Sequence, residues 1–212
     1  MMNYMNTTES DLATLYKVMM KRITKNLKAD QLSFLIGMPD NFIENVEALK
    51  VPCYTETDLK RIAATLEDTD YQSFFAVTNY SNEVRASMET HIHDLKLFHV
   101  CCTYTTNHKR HSSFTLYEDA YLSPELVKDE LSDYQISIAR DTLSLMLRNG
   151  YFSEERCPYE IYHYINNSLC IRVNPYVLRA ALNRLCLDDV AGALRKCYLE
   201  NEYVYVEKTL IF

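Results

Sequence analysis

Between residues 27 and 66 apolar residues recur at helical spacing and are broken at short intervals by turn chemistry, so this stretch is restricted to short helices crossing at sharp angles. LKADQLSFLIG places Leu27, Leu32, Leu35 and Ile36 on one helical face and ends at Gly37, a residue that tolerates the left-handed backbone closing a helix. Met38 and Pro39 make a short turn, and PDNFIENVEAL opens a second helix with Pro39 in its first turn and Phe42, Ile43 and Val46 facing inward. YTETDLKRIAATLED follows as a third helix with a Thr55 or Thr57 cap and Leu59, Ile62, Ala63 and Leu66 at core spacing. Ahead of these, ESDLATLYKVMMKRITKNL forms a longer helix that buries Leu12, Leu15, Met19 and Ile23.

The helical pattern stops near Glu67, and a chain of 212 residues is long enough for two cores. Between residues 71 and 122 aromatic and β-branched residues take over. HIHDLKLFHVCCTYT, the polar NHKRHSS and SFTLYEDAYL together predict a β-hairpin or two strands with a basic tip at His108, Lys109, Arg110 and His111. That tip is suited to phosphate, or is simply a solvated loop. His91 and His93 share one strand face, with His99 further along, but no carboxylate or cysteine cluster at ligand spacing joins them, and no metal is expected.

From Ser123 the pattern becomes helical again. SPELVKDEL opens with a serine cap and proline. ISIARDTLSLMLRNGYF is an amphipathic helix carrying Ile138, Leu143, Leu145 and Leu147 and closed by Asn149 and Gly150. PYEIYHYI is a short helix, LCIRV a brief strand, NPYVLRAALNRL a helix capped by Asn174, and GALRKCYLENEYVYVEKTLIF a hairpin turning at residues 200–202.

This order, over residues 136–212, resembles a winged helix, with NPYVLRAALNRL in the recognition position and LRKCYLENEYVYVE as the wing. The resemblance implies that Tyr176, Arg179, Asn183 and Arg184 face the major groove and that Arg195 and Lys196 lie at the wing base. Arginine pairs with guanine and asparagine with adenine, so the chemistry of these side chains suits base reading. Residues 12–66 resemble the repressor-like helix-turn-helix domains of bacterial and phage regulators. Leu32, Gly37, Ile43, Glu47 and LKRIAATL fall where that family has its core leucine, turn glycine, buried aliphatic, helix-end glutamate and closing helix. The recognition helix departs from the family: Pro39, Asp40, Asn41 and Phe42 stand where polar or basic readers are usual, and Ala29 replaces a polar residue. Asn41 and Asn45 remain as readers, with Lys17, Lys21, Lys25 and Lys28 as a basic edge.

Charge opposes the DNA reading. The formal net charge is -7, and none of the three segments is net basic: eight Lys or Arg stand against eleven Asp or Glu in residues 1–70, four against five in 71–122, and ten against thirteen in 123–212. A nucleic-acid binder normally shows a basic footprint, so any affinity must come from local patches. Seven cysteines without a CxxC pair read as reduced thiols. The chain shows neither a membrane-length apolar run nor a leader-like start, and a cytoplasmic location is expected.

Only three glycines occur, at positions 37, 150 and 192, which excludes a glycine-rich phosphate loop; GxSxG and HExxH are absent too. Adjacent carboxylates such as Glu154 with Glu155 diverge on regular structure. No enzyme activity and no cofactor are expected. Seventeen tyrosines crowd segments such as 159–164 and 198–205, as half-buried packing or as anchors for a partner.

The sequence thus predicts a mainly α fold with small β content (α+β): a helix-turn-helix bundle over 1–70, a β-containing connector over 71–122 and a winged-helix-like segment over 123–212. The expected function is sequence-specific binding of double-stranded DNA in transcription regulation. Tyr176, Arg179, Asn183 and Arg184 would read bases, while Arg195, Lys196, Lys109 and Arg110 contact phosphate, in a homodimer or with a protein partner. The competing expectation is a protein-interaction module that keeps both helical folds without binding DNA.

Overall fold

The computed structural model describes residues 4–75, 82–105, 109–120, 133–169, 172–187, 194–199 and 202–208. Among them are seven α-helices and six strands, an α+β fold. The chain packs as two units, one of Met1–Leu32 with Asn41–Ser123, the other of Ser33–Asp40 with Pro124–Phe212. The expected segments 1–70 and 71–122 therefore share the first unit, except that residues 33–40 belong to the second. No described helix is long and apolar enough to cross a membrane.

The first unit opens with strand β1 (Met5–Thr8), which runs directly into helix α1 (Glu9–Thr24). Thr8 caps that helix: its hydroxyl accepts from the Asp11 N–H and the Asp11 carboxylate accepts from the Thr8 N–H, a reciprocal box that satisfies two otherwise orphan donors. Helix α2 (Ala29–Leu35) crosses the division between units, α3 (Phe42–Glu47) is short, and α4 (Glu56–Thr65) carries the same box from Thr55 and Asp58. Leu12, Leu15, Val18, Met19, Ile43, Val46, Leu59 and Ile62 are buried. Four expectations need correction: Leu27 lies before α2 and is half-buried, and Phe42, expected to face inward, is half-buried too. Pro39 precedes α3 instead of sitting in its first turn, because the helix begins only at Phe42. Ile23 is half-buried, and Arg22 occupies the buried place beside it.

A 3-10 turn (Tyr71–Phe74) leads to strands β2 (Glu83–His93), β3 (Lys96–Tyr104) and β4 (Arg110–Asp119). With β1 they form one antiparallel sheet in the order β1-β2-β3-β4. The expected hairpin is thus two successive hairpins, and β1 adds a strand that local sequence does not announce. Asp94 and Leu95, at φ 45° and 67°, make the tight turn between β2 and β3. A bulge between Cys101 and Cys102 leaves Ser113 of β4 unpaired. The Tyr16 ring of α1 packs 5.2 Å from that of Phe114, placing the helix over one face of the sheet.

The second unit contains α5 (Asp133–Arg148), α6 (Pro158–Ser168), α7 (Pro175–Leu187) and the hairpin β5 (Leu194–Leu199) and β6 (Glu202–Glu207). The buried stripe of α5 is Ile136, Ala139, Leu143 and Met146; of the apolar set expected there only Leu143 is buried, and Leu145 is 58% exposed. The expected SPELVKDEL helix, most of the hairpin turn and residues 170–171 of LCIRV lie outside the described residues, and Leu169, Arg172 and Val173 belong to no strand. Asn174 accepts from the Tyr176 N–H at 2.9 Å, as its capping role requires.

Residues 33–40 are held to β6. The Tyr203 N–H donates to the Gly37 carbonyl at 2.7 Å, and the Tyr203 hydroxyl to the Phe34 carbonyl at 3.2 Å. Gly37 has φ +74°, and a Cβ there would stand 2.6 Å from the Tyr203 carbonyl oxygen. Both the left-handed backbone and the close approach require glycine.

Candidate functional site

Helix α7 and the β5–β6 hairpin carry most of the side chains expected to meet DNA, and their placement follows from helical and strand periodicity. Tyr176 sits in the first turn of α7 at 7% exposure, so its ring belongs to the core and is not offered to a groove. Arg179, one turn on, has Nη1 3.0 Å from Asp40 Oδ1, and its guanidinium lies 5.3 Å from the Tyr176 ring centre and 5.8 Å from that of Phe34. The arginine is thus held against aromatic faces by a carboxylate of its own unit. Asn183 is exposed. Arg184 is exposed as well, with Nη2 3.3 Å from Asp133 Oδ1 at the start of α5.

Arg195 and Lys196 are adjacent on β5 and so point to opposite faces of the hairpin. Arg195 is exposed, while Lys196 lies half-buried with its ammonium 3.5 Å from the Tyr203 ring centre. Arg179, Arg184, Arg195 and Lys196 do not form one row of like-facing cations. Burial pushes the Tyr203 and Tyr205 phenols above their usual range, so both stay neutral and serve as packing with polar tips. In the first unit, Lys109 is exposed just before β4. Arg110 donates to Glu89 Oε2 at 2.8 Å and to Cys102 Sγ at 3.1 Å, so the basic tip carries its own counter-charge. His108 lies outside the described residues.

His91 and His93 stand opposite Phe98 and Lys96 on one face of the sheet, and the His91 ring stacks on Phe98 at 5.2 Å. His99, opposite Thr90, faces the other side. Among the described residues, no group of three His, Cys, Asp or Glu side chains is arranged to hold a metal. Cys53, Cys101, Cys102, Cys157, Cys186 and Cys197 are in no disulfide. Burial pushes the Cys53 and Cys101 thiols up to about 12, far from the thiolate form that reacts.

Among the described residues, a buried polar constellation in the first unit coincides with none of the expected site residues. Arg22 is fully buried, and all five of its N–H donors find acceptors. Nε and Nη2 grip the Glu47 carboxylate at 2.7 and 2.8 Å, Nη1 donates to the Leu27 carbonyl at 2.7 Å, and Nη1 and Nη2 reach Glu118 at 3.1 and 3.2 Å. Lys28 Nζ adds a contact to Glu118 at 3.2 Å and His99 Nε2 another at 2.9 Å. Burial alone would drive the guanidinium toward its neutral form, but Glu47 and then Glu118 reverse that and hold it charged. For Glu118, burial would raise the carboxyl, yet His99, Arg22 and Lys28 outweigh it and hold it well below the usual carboxylate range.

The cluster pins α1, α3, β3 and β4 to one another. A shallow cavity of about 150 Å³ beside it is lined by Ile23, Asn26, Leu27, Tyr117, Glu118 and Asp119. Arg22, Lys28 and His99 all contact Glu118, and both oxygens of Glu47 are gripped by Arg22, which suits anchoring better than proton transfer. Sequence did hold one signal: Arg22 continues the stripe of Leu15, Val18 and Met19 at helical spacing, and a charge on a buried stripe requires a partner.

Compared with protein-family models, with curated proteins and with solved structures, the chain matches none.

Proposed function

We propose that this chain works through protein–protein contact and does not read DNA sequence. One observation carries the reading: the two arginines best suited to base recognition, Arg179 and Arg184, are each paired with a carboxylate of the same unit, Asp40 and Asp133. Binding a duplex would require breaking these pairs while bringing phosphate toward the aspartates, in a chain whose net charge is already -7. Large apolar side chains are meanwhile turned to solvent on both units: Ile92 and Tyr117 on the sheet and Leu95 in the turn beside it, and Tyr134, Leu145, Leu187 and Tyr198 in the second unit. Tyrosine at the surface supplies anchoring area for a protein partner at little entropic cost, and the exposed leucines and isoleucine add apolar area.

The test is selection of bound fragments from a genomic duplex pool at low and at physiological salt. The expected result is no enriched site and only weak retention that salt abolishes. An enriched fragment whose binding weakens in Arg179→Ala or Arg184→Ala, each by about 1–3 kcal/mol, would overturn the proposal in favour of a winged-helix reader.

A further inference from the structure

Strand β4 closes one side of the four-stranded sheet, and its outer edge has no backbone partner among the described residues. Its ten residues, RHSSFTLYED, include no proline or lysine to discourage pairing. The Ala120 N–H donates to the Leu95 carbonyl and the Lys109 carbonyl accepts from the Thr105 N–H, so both turn toward β3. Counting outward from these two, Asp119, Tyr117 and Thr115 turn their backbone groups to the open edge. So do Ser112 and Arg110, because the bulge at Ser113 resets the alternation.

The same bulge makes the edge self-complementary. We infer that β4 pairs antiparallel with β4 of a second copy of this chain, across a two-fold axis at Thr115, continuing the sheet from one copy into the next. In that register Thr115 meets Thr115, Tyr117 meets Ser112 and Asp119 meets Arg110, all with backbone groups facing the edge and side chains on one face. On the opposite face Leu116 meets Phe114. Every opposed pair is neutral, apolar or oppositely charged, the combinations that stabilise cross-strand neighbours. Arg110 is available for the contact: its Nε and Nη2 hold Cys102 and Glu89, and its Nη1 has no partner among the described residues. The Asp119 carbonyl already accepts from Lys28, and its second lone pair suffices for one more donor. The contact is isologous, so each charge pair occurs twice, which is the geometry of a closed dimer.

This inference rests on the protein-contact reading and names the first partner, and its test contains no DNA, so either can fail alone. Molar mass is measured by light scattering over a concentration series for the full chain. The wild type is expected to rise from 24.8 kDa to twice that mass. Arg110→Asp and Asp119→Arg each place like charges opposite one another twice, and each is expected to weaken dimerisation by about tenfold or more. An equimolar mixture of the two variants restores both attractive contacts and is expected to dimerise as the wild type does, a rescue that no misfolded variant could show. A wild type that stays at the monomer mass throughout overturns the inference. So does a dimer indifferent to both changes, or a mixture that fails to regain what the single variants lose.

Discussion

Placing a guanidinium where Arg22 sits removes it from water, and several kcal/mol of lost hydration must be offset by Glu47, Glu118 and the Leu27 carbonyl. Such an arrangement adds little net stability compared with an apolar filling, but it penalises every packing that leaves one member alone. Its acid sensitivity follows from Glu118. The folded carboxyl is held below its ordinary value of 4.5, so its stabilising contribution is complete above that value and is lost as pH falls through the lower folded one. Glu118→Gln is expected to cost about 1–3 kcal/mol at neutral pH. The gap between wild type and variant should then shrink steadily once pH drops below about 4.5, the ordinary carboxyl range. Urea midpoints measured from neutral to acid pH check this; a gap that stays constant contradicts the assignment. Sequence carries only the place of Arg22 on a buried stripe; the carboxylates that pair with it lie 25 and 96 residues away, and nothing local identifies them.

At the level of elements, what local chemistry controls was legible. Thr55 and Asn174 cap the helices they were expected to cap, and Gly37 and Gly150 close helices at φ +74°. The sheet was less legible, since β1 pairs with β2 some eighty residues on and nothing in Met5–Thr8 identifies that partner. With so few glycines, ordinary residues also carry left-handed backbone: Asn26, Leu49 and Glu67 after helices, Asp94 and Leu95 in the first hairpin turn. A leucine at φ 67° is strained, and Leu95 is 57% exposed, so little burial offsets that strain. Leu95→Gly, which creates the preferred Asp-Gly turn, is expected to stabilise the first unit by about 1 kcal/mol, read as a raised urea midpoint. A lowered midpoint would mean that the leucine side chain makes a contact worth more than the strain.

Over the whole molecule, the sequence suggested consecutive segments, and composition gave no hint that residues 33–40 leave the unit that surrounds them in the chain. The helical period runs unbroken through α2, so periodicity could not mark the division inside it. The second unit nonetheless depends on this segment, which supplies carbonyls to the Tyr203 N–H and hydroxyl and a carboxylate to Arg179. Residues 124–212 expressed alone leave these donors without acceptors, at about 1–3 kcal/mol for each buried one. That fragment is expected to melt well below the same fragment carrying residues 33–40 on a flexible linker, as followed by circular dichroism. Equal melting temperatures would show the segment to be dispensable.

The docking of residues 33–40 also imposes a schedule on synthesis. Phe34 and Tyr203, which share a hydrogen bond, are 169 residues apart in the chain. At about 5–20 residues added per second, the ribosome delivers the second partner about 8 to 34 s after the first. For that interval Phe34, buried in the finished protein, lacks the Tyr203 hydroxyl that its carbonyl accepts from, while the residues on either side of 33–40 belong to the other unit. Phe34 therefore emerges long before Tyr203, and over that interval the segment around it is open to a chaperone.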